Sequence, residues 1–351
     1  MAVHDIAYAE LYTRDKASTV DYFVSAMGFT RVADCVEADR SSVLLRQGEM
    51  QLVITSGRGV WKFLDDHGDG IADLALTCDD VKATSESAVA AGAKVAASLR
   101  DTPIVSGFGD VTHTLLPAVD RPFATLPAGR TWVVGPGPSA PVTDTPVTDT
   151  PAADGPVQRL DHVAVCVEGG SLQRHADFYR DAFGFTRYSS EYVAVGDQAM
   201  DSVVVRSTSE RVIFTLVAPD PGKRPGQLDA YLERNGGEGV QHLAFLVEEI
   251  IPAVREFRDR GVEFLATPDT YYDMLTERFA DLRTEIAGLK DAQVLADRDE
   301  WGHLLQLFTR SPYPRNTLFF ELIQRRGSRG FGSANIRALY EAVERDRLTA
   351  G

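Results

Sequence analysis

Cysteine is scarce. Cys35, Cys78 and Cys166 are the only three in 351 residues, at neither the spacing of a metal-binding pair nor the density of a disulfide scaffold. They read as small buried apolar side chains. Long apolar runs are missing too: no stretch approaches the roughly 20 apolar residues of a membrane-spanning helix. The opening MAVHDIAYAE also lacks the basic-then-apolar order of a signal peptide, so a cytoplasmic protein without a membrane partner is expected. Positive charge is the minority, 36 Lys and Arg against 51 Asp and Glu for a net charge of −15, and no basic cluster stands out. Without basic groups to neutralise phosphates, nucleic acid is excluded as an expected partner.

What is present is ordinary globular text, 44% hydrophobic and 25% charged, interrupted once. The stretch GPGPSAPVTDTPVTDTPAADGP, from residue 135, holds almost no large apolar side chain and repeats PVTDT in tandem, so it cannot build a core. A connector over 135–158 is expected, between an N-terminal domain (1–134) and a C-terminal one (159–351). The two halves resemble each other. DIAYAELY leads through a helix with Val20, Phe23, Val24 and Met27 on one face into GFTR at 28–31, and LDHVAVCV leads through Leu172, Ala176, Tyr179 and Phe183 into GFTR at 184–187. GDGIADLAL with Gly92 parallels GEGVQHLAF with Gly261. Each half thus reads as two strand-helix-strand units, an α+β fold whose curved antiparallel sheets wrap a cavity.

The comparison of halves also shows where chemistry could lie. His162 and His242 align with Tyr8 and Asp73, so the second half alone keeps both imidazoles, which suggests a catalytic C-terminal domain and a structural, metal-free N-terminal one. Alternation puts His162 on a strand face with Leu160, Ala164 and Cys166, and His242 on one with Val240, Ala244 and Leu246. Glu321 sits between Phe319 and Ile323 on an apolar strand, where an ionised carboxylate needs a partner or a metal. Two imidazoles and a carboxylate are the ligand set that leaves positions open on Fe(II). Taken singly, each has a plainer explanation: a strand histidine is commonly a hydrogen-bonded core residue, and a buried glutamate commonly pairs with arginine. His4, His67, His113, His175 and His303 read as residues of termini, turns or helix surfaces, with His113 in DVTHTLL the one worth checking.

The segments GVQHLAF, LLQLFTRSPYPRNTLFFELIQR and GFGSANIRALYEAVE resemble the family of 4-hydroxyphenylpyruvate dioxygenase and its close relative 4-hydroxymandelate synthase, over essentially the whole chain. The resemblance implies a vicinal-oxygen-chelate fold, two domains each of two βαβββ modules, with Fe(II) held by His162, His242 and Glu321. It implies 4-hydroxyphenylpyruvate and O2 as the molecules handled, a chelating 2-oxo acid that supplies its own electrons, and a homodimer. It assigns Gln306, Asn335 and Ile336 to catalysis, and Ser202, Thr215, Val217, Gln227, Gln306, Phe308, Phe319, Phe331 and Ile336 to substrate binding. Gln241 flanks a ligand but falls on the opposite face by alternation.

Two positions depart from the dioxygenase pattern. Where dioxygenases carry a Pro-x-Asn-Glu-Pro-like strand this chain reads FTLVAPD, placing Thr215 and Val217 at the Pro and Asn. Where they carry Asn-Phe in the final helix it has Asn335-Ile336. Both resemble the synthase branch, in which benzylic hydroxylation replaces ring hydroxylation, although Ile336 would also serve as an apolar position of an amphipathic helix with Leu339, Tyr340 and Val343. The glycines of RRGSRGFGSAN, with Ser333 as N-cap, suggest a hinged lid helix. Alternatives at this level are the homogentisate-forming dioxygenase, another metal enzyme of the same fold, and a metal-free drug-binding protein.

Overall fold

Two mixed sheets carry the architecture of the computed structural model, which describes residues 2–96, 102–119, 123, 125–134, 155–332 and 335. Ile336, Ser333, the rest of the expected lid helix and most of the connector lie outside the described residues. The first sheet contains β1 (Val3–Tyr12), β2 (Thr30–Val36), β3 (Ser41–Gln47), β4 (Met50–Ser56), β5 (Gly70–Cys78), β6 (Val95–Ala96), β7 (Ile104–Ser106), β8 (Thr112–Pro117) and β9 (Val133–Val134). Its order is β6-β7-β8-β5-β1-β4-β3-β2-β9. The second contains β10 (Val157–Cys166), β11 (Thr186–Val195), β12 (Gln198–Arg206), β13 (Ile213–Pro219), β14 (Gly239–Val247), β15 (Leu295–Arg298), β16 (His303–Phe308) and β17 (Phe319–Arg326). Here the order is β11-β12-β13-β10-β14-β17-β16-β15.

Each sheet is two strand-helix-three-strand modules joined through their first strands, β1 antiparallel to β5 and β10 antiparallel to β14. The sheets are not purely antiparallel as the sequence suggested. A helix returns the chain after each first strand, so three further strands end with the last running in the direction of the first. β1 therefore pairs parallel with β4, β5 with β8, β10 with β13 and β14 with β17. The GFTR repeats begin where the helices stop, and Gly28 (φ 73°) and Gly184 (φ 70°) take the left-handed conformation that ends each helix. In the first half the helix widens to a π turn over Tyr22–Ala26, which buries Phe23 and Met27 but leaves Val24 exposed, unlike the single face expected. β10 starts at Val157, so the last two residues assigned to the connector are strand.

One apolar core runs through both halves. Phe23 meets Phe320 edge-on at 5.3 Å, and Phe29 lies 6.0 Å from Phe245. His113 sits at this seam, fully buried on β8, and is not the surface residue the sequence suggested. It is 2.9 Å from the Tyr179 hydroxyl and 3.1 Å from the Leu74 carbonyl oxygen, and its ring stacks on Phe214. His67 and His175 are likewise buried rather than exposed. All three cysteines are free and buried, as expected.

Burial pushes the His113 imidazole down to about 4, with the Leu74 carbonyl opposing. Unfolded, the ring takes up a proton near 6.5, so between those values the unfolded state binds more protons and stability falls as the pH is lowered. At about 1.4 kcal/mol per pH unit, urea unfolding of the metal-free protein should show wild type losing about 2 kcal/mol more than His113→Gln between pH 7 and pH 4.5. Equal losses would remove His113 as an acid-sensitive element of the seam.

Candidate metal centre and cavity

The second sheet buries alternate residues on its two faces. Val163, Val165, Phe214, Leu216, Leu243 and Phe245 face the common core, while His162, Ala164, Thr215, Val217 and His242 line a cavity of about 520 Å³. Ala244 in β14 is opposite His162 in β10 on one side and Glu321 in β17 on the other. This small side chain leaves room for imidazole and carboxylate to meet across it. The register shifts between Leu160 and His162 and between Ala164 and Val165, the marks of β-bulges. Simple alternation therefore misplaced two residues: Leu160 and Val240 pack in the core, not beside the histidines. The second shift also brings Gln241 to the cavity, contrary to expectation, 3.3 Å from His242 Nδ1.

His162, His242 and Glu321 converge, all three buried and their donor atoms within 4.8 Å of one another. Glu321 Oε2 lies 3.4 Å from His162 Nε2 and 3.1 Å from His242 Nε2. Two metal bonds of about 2.1 Å at a right angle separate their donors by roughly 3 Å. The spacing fits an ion between them, and so does the buried Nε2 of His242, whose close approach to Glu321 lacks hydrogen-bond geometry. Burial alone would raise the Glu321 carboxyl, but the adjoining imidazoles hold it down at about 2. Burial would likewise lower His162, yet Glu321 and Asp161 raise it to about 9, while burial keeps His242 low. Without metal, one proton is thus held among the three groups.

Neighbouring side chains orient the triad. His162 Nδ1 is 2.9 Å from Asp161 Oδ1, which turns Nε2 inward. Asp161 lies beside Arg325, whose guanidinium holds the buried carboxyl far below its usual range against the opposing effect of burial. Gln306 donates to Glu321 Oε1 at 2.8 Å and accepts from the Asn335 amide at 2.8 Å, and Tyr271 donates to Asn335 at 3.1 Å. No motif in the sequence pointed to Asp161 or Tyr271: Asp161 adjoins His162, but the Arg325 that holds it is 164 residues away, and Tyr271 meets Asn335 64 residues away. Phe308 on β16 and Phe319 on β17 reach the cavity wall, joined by Gln227 at the start of the helix Gln227–Asn235 and by Phe331 beyond β17. Phe319 stacks on His242 with ring centroids 4.9 Å apart. Ser202 is not among the lining residues; its hydroxyl donates to the Glu191 carbonyl on the neighbouring strand. Arg234, Arg310 and Met200, which sequence reasoning did not select, also line the cavity.

The first half repeats the geometry without the ligands. β1 and β5 share the register shifts of β10 and β14, so Tyr8 occupies the position of His162 and Asp73 that of His242. Asp73 accepts hydrogen bonds from Thr112 Oγ1 and the Thr114 amide, and the buried Arg130 ion-pairs with Glu10 over the Tyr8 ring. A second group of potential ligands, Asp66, His67 and Asp110, has both carboxylates exposed and His67 bonded to the Asn235 carbonyl.

The chain matches known proteins on both sides of the connector. A model of the glyoxalase/bleomycin resistance protein/dioxygenase superfamily matches residues 159–307, and a second of the same superfamily matches residues 8–110. A 4-hydroxyphenylpyruvate dioxygenase of Neurospora crassa is 34% identical over 82% of this chain and 72% of the relative. One from Aspergillus fumigatus is 29% identical over 97% and 92%. A solved mutant of 4-hydroxymandelate synthase from Streptomyces coelicolor is 48% identical, with a TM-score of 0.88 over 99% of this chain and all of that one. The vicinal-oxygen-chelate architecture expected from the sequence is thereby shown.

If the three converging side chains hold a metal, His162→Ala, His242→Ala and Glu321→Ala should each reduce bound metal after gel filtration to a small fraction of the wild-type content. Retention of wild-type content would remove that residue from the ligand set. Because binding displaces the proton held at His162, affinity should rise with pH, about tenfold per unit, up to about pH 9 and then level off. Chelator competition across that range measures the slope, and a flat profile would contradict the proton release.

Proposed function

The chain belongs to the 4-hydroxyphenylpyruvate dioxygenase family, and from that membership we propose that it is a 4-hydroxymandelate synthase using Fe(II) at His162, His242 and Glu321. It takes 4-hydroxyphenylpyruvate and O2 to 4-hydroxymandelate and CO2. The substrate's carboxyl leaves as CO2, one oxygen atom enters the new carboxylate, and the other becomes the benzylic hydroxyl. No second organic reductant is needed, since loss of the carboxyl supplies the electrons. Bound Fe(II) would supply chelation of the 2-oxo acid and activation of O2, which side chains alone cannot.

The chain's own residues bind and orient. Asp161 takes the Nδ1 side of His162, so that Nε2 is the nitrogen a metal would meet once its proton is displaced, and the Gln306 amide holds one oxygen of Glu321 so that the other faces the imidazoles. Phe308, Phe319 and Phe331 give the cavity an apolar wall that excludes water from the aryl ring. The Thr215 hydroxyl is buried on that wall without a hydrogen-bond partner, so a polar group of the substrate can take it. The observation that carries the reading is the face shared by the converged triad with Thr215 and Val217, the strand that departs from the dioxygenase pattern. Asn335, bonded to Gln306, positions that amide, and Ile336 beside it is assigned to the substrate's pose by the family pattern. On the same footing the enzyme is read as cytoplasmic and homodimeric.

The homogentisate-forming reaction is the second reading, favoured by the dioxygenases among the relatives. Product analysis by chromatography and mass spectrometry separates the two: wild type should yield 4-hydroxymandelate with one CO2 per O2, and homogentisate as main product would replace the synthase reading. A barrier difference of about 1.4 kcal/mol changes a product ratio tenfold, an amount side-chain volume can supply. Ile336→Phe should therefore divert measurable flux toward homogentisate or another ring-oxidised product while metal content stays intact. An unchanged product ratio would return Ile336 to a packing role.

A further inference from the structure

Arg325 makes contacts in two directions. Toward the triad, its Nε donates to Asp161 Oδ2 at 2.8 Å and a terminal nitrogen donates to Asp161 Oδ1 at 2.7 Å, the oxygen that also meets His162 Nδ1. Away from it, the other terminal nitrogen donates to the carbonyl oxygens of Gly330 at 2.7 Å and Ser328 at 3.4 Å. The guanidinium also lies 5.3 Å from the Phe331 ring, which itself stands edge-on to His162 at 5.3 Å. The contacts thus close a ring: His162, Asp161, Arg325, the 328–331 segment, and His162 again.

That segment is gripped from its other side as well. Asp299 Oδ2 accepts from Ser328 Oγ at 2.7 Å and from the amides of Arg329 and Gly330 at 2.8 and 2.7 Å. Three of its donors go to Asp299, the Ser328 and Gly330 carbonyls to Arg325, and the Phe331 carbonyl accepts from Gln306 Nε2 at 3.5 Å. The glycines of RRGSRGFG therefore do not leave this stretch a free hinge; it is a pinned wall of the cavity through Phe331. A planar fork can span Asp161 and Gly330 at once, which a lysine amine cannot.

We propose that the Asp161–Arg325 pair couples metal loading to the seating of the 328–331 segment, so that the metal tightens the segment and the segmented wall holds His162 in its ligating orientation. The proposal rests on the metal reading given above. Coupling of this kind is reciprocal, and so a change that loosens the segment must weaken the metal even where it touches no ligand. Asp299 offers that change, since it contacts neither His162 nor Asp161 and stands at a surface turn. Arg325 and Asp161 are positioning residues in this scheme.

Co(II) is the probe, with affinity read by chelator competition, its visible absorption bands reporting ligand geometry, and amide exchange of residues 328–331 read by mass spectrometry with and without the metal. Wild type should bind one Co(II) per chain and exchange several-fold more slowly when loaded. Arg325→Lys and Asp161→Asn should bind Co(II) about 10–100-fold more weakly, with altered bands and no metal-dependent slowing. Asp299→Asn should weaken Co(II) several-fold with the bands of the bound form unchanged. If Asp299→Asn binds as tightly as wild type, or wild-type exchange is the same loaded and stripped, the coupling is wrong while the metal reading stands. If wild type binds no Co(II) and no Fe(II), both fall together. Circular dichroism separates misfolding from these outcomes, and should Arg325→Lys not fold, Asp299→Asn decides alone.

Discussion

The carboxylate of Glu321 is only 1% exposed on a strand whose neighbours are apolar, and a charge so placed has to be compensated. Much of the second half can be traced to that requirement. Two imidazoles face one carboxylate oxygen and the Gln306 amide takes the other. The small side chain of Ala244 keeps the space between them open. Without a metal the raised His162 supplies the compensating charge as an imidazolium, and Nε2 of His242 is left without a hydrogen bond. A divalent metal resolves both the charge and the orphaned donor atom in one step.

The first half shows what happens when the same geometry loses those groups. Its strands keep the register shifts that aim side chains inward, but Tyr8 and Asp73 stand where the histidines stand in the second half. The buried positive charge there is a guanidinium tied to Glu10. Burial and the nearby Glu10 push the Asp73 carboxyl up to about 7, whereas the imidazoles hold Glu321 ionised. Duplication thus preserved backbone and packing, and the chemistry diverged at a few inward positions. The shared core and the His113 seam make the first half a buttress for the back of the second sheet.

The cavity combines an apolar wall with few polar groups, the arrangement that orients a small aromatic acid without surrounding it with water. Arg234 and Arg310 are exposed among its lining residues, and Arg310 lies 4.0 Å from Glu263, which lines the cavity as well. Nearer the triad, Gln306, Asn335 and Tyr271 form a relay of hydrogen bonds from the carboxylate to the floor of the domain. A relay of this kind makes the position of Glu321 depend on residues well removed from the triad.

Much was legible in the sequence because it depends on local pattern. Strand alternation, the repeated GFTR at helix ends and the Pro-rich break marked four modules and two halves. The rarity of a carboxylate on an apolar strand singled out Glu321 beside the two strand histidines. What alternation could not reveal were the bulges, which turned Leu160 and Val240 into the core and Gln241 into the cavity, since one extra residue inverts every side chain beyond it. Ser202, paired with Val217 of the cavity strand, donates its hydroxyl to a carbonyl on the strand at its other side, a contact the pattern could not foretell. Asp161, Arg325, Asp299 and Tyr271 carry no signature of their own, because their roles come from partners up to 164 residues away in the chain. Sequence alone determined which groups could bind a metal and on which kind of strand they lie, because both follow from residue type and periodicity. Only the tertiary structure decided which of them meet, since meeting depends on strand register and on contacts that the fold makes between segments far apart.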